Sequence, residues 1–142
     1  YLVIGLACIG LSHWAGGPGF WVVLPAGAWL ALAGALCAAG IVIAVRGSRQ
    51  FALAQTNIIP FSPASSLVTD GVFRWSRNPM YLGMVAALLG AAVASNRVSA
   101  LIVPMAFFWI IQSWFIVHEE RQLLASFGDS FQAYCANTRR WL

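Results

Sequence analysis

Apart from Arg97, every charged residue of this chain falls in one of two segments, 46–77 or 119–140, and the stretches around them are apolar. Long uncharged runs of this kind suit lipid, where each backbone polar group must be satisfied within its own helix. The fold class expected is therefore all-α, a polytopic membrane protein of about four transmembrane helices followed by a cytoplasmic amphipathic C-terminal helical segment. The composition agrees. The chain is 61% hydrophobic and 8% charged over 142 residues, against roughly 45–50% and 25% in a soluble domain.

The formal charge of +4 comes from arginine alone. These arginines sit beside the expected membrane ends, so orientation and contact with membrane lipid headgroups account for them and nucleic acid does not. Cys8, Cys37 and Cys135 are odd in number, lack a C-x-x-C spacing and suggest neither a disulfide framework nor a metal site.

One integral-membrane domain is expected over residues 1–142. It comprises two first spans in 1–45, a cytoplasmic connection at 46–78, a helical hairpin at 79–118 and a tail at 119–142. The run 1–14 is shorter than the roughly 20 residues a crossing needs and has no basic n-region, so it reads as the remainder of a first span rather than a signal peptide. A glycine- and proline-containing turn at 15–19 leads to the second span, 21–45. There Gly27, Ala28, Gly34, Ala35, Ala38 and Ala39 offer a surface for close helix packing.

Pro60 and Pro63 exclude a continuous helix across the connection. Pro79 suits the first position of a third helix to residue 95, about 25 Å long at 1.5 Å per residue. A tight turn at 95–99 precedes a fourth span, 100–118. With four crossings, Arg46, Arg49, Arg74, Arg77, Arg121, Arg139 and Arg140 share one side and Arg97 lies opposite, which makes the arginine-rich side cytoplasmic. In the tail, Leu123, Leu124, Phe127, Phe131 and Tyr134 recur three and four residues apart, an amphipathic pattern, and Gly128 before Asp129 is placed to break it.

Three groups of residues stand out chemically. Glu119 and Glu120 follow directly on an apolar span, where carboxylates are costly unless paired or solvated. Arg74 and Arg77 precede the third helix, and lipid-phosphate snorkelling would serve either equally well. Asn78 stands just outside a helix that begins with proline, so its amide and the free N–H groups of the first turn converge, with Tyr81, Leu82 and Gly83 in that turn. An ordinary N-cap explains Asn78 and Pro79 without a ligand.

These groups occur in an order that resembles a known family. The series Gly71, Phe73, Arg77, Asn78, Pro79, Tyr81, Gly83 matches a G-x-[YF]-x-x-x-R-[HN]-P-x-Y-x-G pattern, and Glu119, Glu120, Leu123, Phe127, Gly128, Phe131, Tyr134 matches E-E-x-x-L-x-x-x-F-G-x-x-Y-x-x-Y. The closing Arg140-Trp141-Leu142 is similar to a terminal R-W-[LI]. Together they resemble the membrane-embedded methyltransferases that include isoprenylcysteine carboxyl methyltransferases and phospholipid methyltransferases. Two positions depart from the pattern: Asn78 stands where isoprenylcysteine methyltransferases carry histidine, and Phe131 replaces a frequent tyrosine.

The resemblance implies a membrane enzyme, in a bacterial inner membrane with its site facing the cytoplasm. It implies S-adenosyl-L-methionine as methyl donor, with S-adenosyl-L-homocysteine as product. It places Arg77, Asn78, Pro79, Tyr81, Leu82, Gly83, Glu119 and Glu120 around that cofactor. Glu119, Glu120 and Arg140 are the expected catalytic residues, and Arg74, Arg140 and Tyr134 the expected contacts to a lipophilic or lipidated acceptor. A carboxylate acceptor needs no base; an amine or thiol must lose a proton, and a glutamate would then take it. A non-catalytic protein that packs helices or binds lipid is the competing class, and it predicts no cofactor affinity.

Overall fold

The computed structural model describes residues 1–14, 25–56 and 65–142. The turn at 15–19, the start of the second span at 21–24, and Pro60 and Pro63 lie outside the described residues. Those described form helices joined by turns and no strand. They comprise α1 (Leu2–Trp14), α2 (Ala26–Leu53), a 3-10 turn at Gly71–Arg74, α3 (Pro79–Ala94), a 3-10 turn at Val98–Leu101, α4 (Ile102–Ile110), a π turn at Ile111–Phe115 and α5 (Ile116–Asn137).

Two helical stretches, Gly27–Leu53 and Val98–Asn137, are long and apolar enough to cross a membrane. Two others, Leu2–Leu11 and Pro79–Ala94, are apolar but shorter. The large side chains Leu30, Leu32, Ile41 and Val45 of α2, and Ile102, Met105, Trp109 and Trp114 further on, are exposed. So much apolar surface is a liability in water and an ordinary outer face in lipid.

The chain divides into two compact units, one of residues 1–42 and 83–109 and the other of residues 43–82 and 110–142. In the first, α2 and α3 touch backbone to backbone. A Cβ added at Gly40 would lie 2.5 Å from the Gly83 carbonyl oxygen, and one at Gly90 would lie 2.8 Å from the Ala33 oxygen and 2.6 Å from Cys37 Sγ. Small residues permit this approach, as in other helix pairs packed without a hydrophobic driving force. The contact uses Ala33, Cys37 and Gly40 rather than the expected surface around Gly27 and Gly34, whose Cβ positions meet nothing within 4 Å. Composition shows that a helix can pack closely, and the partner helix decides along which stripe. On α1, Gly5 gives room to Leu88, whose side chain is fully buried.

In the second unit α2 continues as helix to Leu53, two turns past the expected start of the polar connection at Arg46. Between 46 and 53 no proline stops a helix, and arginine, glutamine, alanine and leucine outweigh the weak former Gly47; the Ser48 hydroxyl donates to the Val45 carbonyl at 3.0 Å. Gly47 lies against Met80, whose Cγ would be 2.7 Å from an added Cβ. The core of this unit is Phe73, Phe131 and Tyr134, with Phe51, Leu67, Val72, Leu123 and Phe127 packed around it. The amphipathic face of the tail thus closes on the 3-10 turn, while Leu124 stays exposed. Gly128, at φ 48°, interrupts α5 where a break was expected.

Candidate functional site

Most of the residues singled out in sequence lie within the second unit, and a glutamine absent from that group prepares the ground. Gln50, on the last turns of α2, donates from Nε2 to the Asp70 carbonyl at 2.8 Å and accepts the Val72 N–H on Oε1 at 3.2 Å. Its amide therefore grips the backbone on both sides of Gly71, which sits at φ +59° with no room for a side chain beneath the glutamine. That grip starts the 3-10 turn, which delivers Phe73 to the core and the chain to Ser76, Arg77 and Asn78.

Across this short segment lies the C-terminal tail. The Arg77 N–H donates to the Arg139 carbonyl at 2.9 Å. Ser76 Oγ and Asn78 Nδ2 both donate to the Arg140 carbonyl, at 3.2 and 3.1 Å. Ser76 Oγ also accepts the Asn78 N–H at 3.1 Å, so a buried hydroxyl ties both strands of the crossing. Asn78 thereby spends its side-chain nitrogen on the tail, and its carbonyl receives Leu82 N–H at 2.9 Å to start α3.

Glu120 is the centre of charge. Its Oε1 accepts from Arg77 Nη2 at 3.1 Å and from Arg140 Nε at 3.1 Å, while its Oε2 accepts from Arg140 Nη2. Arg140 thus makes a two-point fork on the carboxylate, the arrangement that gives arginine its advantage over lysine. Arg77 Nη1 turns the other way and donates to the carbonyls of Cys135 and Thr138 at 3.1 and 3.0 Å. Its Nε is buried and has no hydrogen-bond partner among the described residues. Two guanidinium groups share one carboxylate, so the cluster carries one positive charge in excess.

Glu119 points elsewhere, as neighbouring residues about 100° apart on a helix must. Its Oε1 accepts the Tyr81 hydroxyl at 2.7 Å. On the same stretch of helix as the two glutamates, a mostly apolar groove of about 540 Å³ is lined by Ser113, Trp114, Phe115, Val117, His118 and Arg121.

The structure therefore brings together Arg77, Asn78, Glu120 and Arg140, and pairs Tyr81 with Glu119. Pro79 is buried at the start of α3, and Leu82 is half-buried. Gly83 belongs to the first unit, where its carbonyl faces Gly40. Arg74 is exposed at the end of the 3-10 turn, and the partners of Glu120 are Arg77 and Arg140. The ring of Tyr134 is in the core and its hydroxyl donates to the Phe73 carbonyl at 2.6 Å.

Gln50 and Ser76 escaped sequence reasoning because neither differs in type or setting from ordinary polar loop and helix residues. Gln112 carried a readable signal, a lone amide inside an apolar run. Its Oε1 accepts the Trp141 indole N–H at 2.6 Å.

Residues 28–130 match the family described as phospholipid methyltransferase. A protein-S-isoprenylcysteine O-methyltransferase of Schizosaccharomyces pombe is 38% identical over 69 residues, which is 48% of this chain and 29% of that protein. The chain thus spans well under half the length of that curated relative. No solved structure matches. With most of its length inside the family match, the chain belongs to the phospholipid methyltransferase family.

Proposed function

We propose that this protein transfers a methyl group from S-adenosyl-L-methionine to a lipophilic acceptor at the membrane, with a carboxylate as the preferred nucleophile, as in isoprenylcysteine-type O-methylation. The observation that carries the reading is the Arg77–Glu120–Arg140 cluster under the pinned tail, in a chain of a methyltransferase family. The residues present fit such a donor. An excess positive charge and a buried, unpartnered Arg77 Nε suit its carboxylate, and the Glu119 carboxylate beside Tyr81 suits its cationic groups. When bound, the donor supplies an electrophilic methyl carried on a sulfonium.

The work left to the protein is positioning. Donor and acceptor held at near-attack distance replace a bimolecular encounter, an effect worth about 7–11 kcal/mol in well-oriented systems. Arg77, Asn78, Tyr81 and Glu120 hold the donor side together with the backbone of the first turn of α3. Arg140, whose side chain is the more exposed of the two arginines on Glu120, is free at its outer edge to orient an acceptor carboxylate or phosphate. The groove along Trp114, Phe115 and Val117 offers an apolar path for the acceptor chain.

A second reading, N- or S-methylation of a lipid amine or small thiol, draws on Glu119. A carboxylate already engaged by one hydroxyl is placed to take the proton such acceptors must lose. We further propose four crossings, with α1 and α3 as the shorter two, and the site on the cytoplasmic face of a bacterial inner membrane, in line with the arginine asymmetry. Transfer of labelled methyl from S-adenosylmethionine to prenylcysteine, lipid amine and lipid thiol panels tests the reading. Labelled ester sinks the second reading, labelled amine or thioether sinks the first, and no labelled lipid in any panel sinks both.

A further inference from the structure

Gln112 sits on the π turn Ile111–Phe115 and Glu120 follows beyond its end, on α5; these two residues hold the end of the chain. Gln112 receives the Trp141 indole N–H at 2.6 Å, and Glu120 receives the Arg140 guanidinium. Arg140 and Trp141 are neighbours, so one face of one helix clasps two consecutive tail residues.

Regular helix geometry would not arrange this. Positions seven apart return to nearly the same face of an α-helix, lagging by about 20°, and the residue seven after Gln112 is Glu119 (119 − 112 = 7). A π turn closes i→i+5 bonds and takes up one residue more than an α turn. Gln112 stands near the start of such a turn, so the wider winding that follows it brings Glu120, eight positions on, rather than Glu119 towards the face of Gln112. The turn thereby decides which of two adjacent carboxylates meets the tail's arginine, and leaves the other to Tyr81.

We infer that Gln112 is a positioning residue: carried on the π turn, its side chain docks Trp141 and so holds Arg140 on Glu120 and the tail across residues 76–78. The inference rests on the methyl-transfer reading for its importance to the reaction, but the docking itself is tested separately. A lone amide in an apolar helix segment is costly without a partner, and so is a half-buried indole N–H. Removing either member alone leaves the other unsatisfied, whereas replacing both with apolar groups is nearly neutral.

The test is hydrogen exchange at the Arg77 amide, whose partner is the Arg139 carbonyl, in detergent-solubilised protein. It compares wild type, Gln112→Leu, Trp141→Phe and the double variant, with S-adenosylhomocysteine affinity measured on each. Trp141→Phe keeps an aromatic ring in place, so one single variant retains the packing.

Each single variant should speed exchange at Arg77 by about fivefold to tenfold, the loss expected for one hydrogen bond, and weaken the ligand by a similar factor. The double variant should return to within about threefold of wild type, the near-neutrality expected when both partners go. Unchanged exchange in both single variants, or a double variant as fast as the sum of the singles, overturns the docking pair. Wild type that shows the predicted exchange pattern yet binds no S-adenosylhomocysteine would retain the docking pair and remove the methyl-transfer reading.

Discussion

Arg77 and Glu120, 43 residues apart in sequence, meet at 3.1 Å between Nη2 and Oε1. The same guanidinium holds the carbonyls of Cys135 and Thr138 with its other terminal nitrogen. Arg77 is thus the shared anchor of α5's start, its end and the tail, while Arg140 binds Glu120 from the more exposed side.

Truncating the two arginines should therefore have unequal effects. Arg77→Met leaves two carbonyls and part of a carboxylate without donors while Glu120 keeps Arg140, and at about 1–3 kcal/mol for a buried acceptor left unsatisfied it should cost about 3 kcal/mol. Arg140→Met leaves Glu120 still paired with Arg77 and should cost about 1 kcal/mol, near the value of an exposed pair. Thermal unfolding of both variants in one detergent checks the ranking. Equal losses would contradict it.

Tyr81→Phe removes the hydroxyl that donates to Glu119 and keeps the ring. A hydrogen bond to a charged group contributes about 1.5–3 kcal/mol, so a donor-binding role predicts S-adenosylhomocysteine affinity weakened by about tenfold or more. Titration of the variant against wild type reads this directly.

Tyr134→Phe tests the core rather than the ligand. Its hydroxyl satisfies the Phe73 carbonyl at 2.6 Å inside the aromatic cluster. Leaving a buried acceptor unpaired costs about 1–3 kcal/mol, so the unfolding midpoint should fall measurably.

Two glycines with positive φ among the described residues, Gly71 and Gly128, separate two origins of strain. Gly128→Ala meets open space and carries only the backbone cost of its glycine-type conformation, φ 48° and ψ −122°, about 1–3 kcal/mol. Gly71→Ala carries a positive-φ cost of its own and also drives its Cβ to 1.9 Å from Gln50 Nε2. Gln50 must then swing away and surrender both its backbone bonds, for a further loss of about 2 kcal/mol at roughly 1 kcal/mol each. A larger loss for Gly71→Ala, measured by chemical unfolding, is expected. If Gln50→Ala is introduced first, the further loss from Gly71→Ala should shrink by about the same 2 kcal/mol.

Much of this architecture was legible before any coordinates. Glu119 and Glu120 stood out because carboxylates beside an apolar span are costly unless something employs them, Arg77, Asn78 and Tyr81 because they lie at the turn that opens α3, and Arg140 through the resemblance to a terminal R-W-[LI]; Pro79 marked the first residue of α3. The partners were not legible. Which glutamate meets Arg140 depends on a single π turn, and the sequence I-Q-S-W-F has no breaker to announce one. Gln50 reaches Asp70 and Val72, 20 and 22 residues on in sequence, so local pattern is silent there. The helical extension of α2 past Arg46 was hidden by charge, which marks a membrane boundary but does not end a helix. In the same way the packing stripe Ala33, Cys37, Gly40 emerged only once α3 was opposite it.

Calorimetric titration of S-adenosylhomocysteine into detergent-purified protein, with Glu120→Gln alongside, tests the central claim most directly. The account predicts saturable binding by wild type, weakened by about tenfold or more in the variant, whose two arginines lose the carboxylate that orients them. Folded wild-type protein that takes up no ligand would contradict it and point to a non-catalytic membrane protein instead.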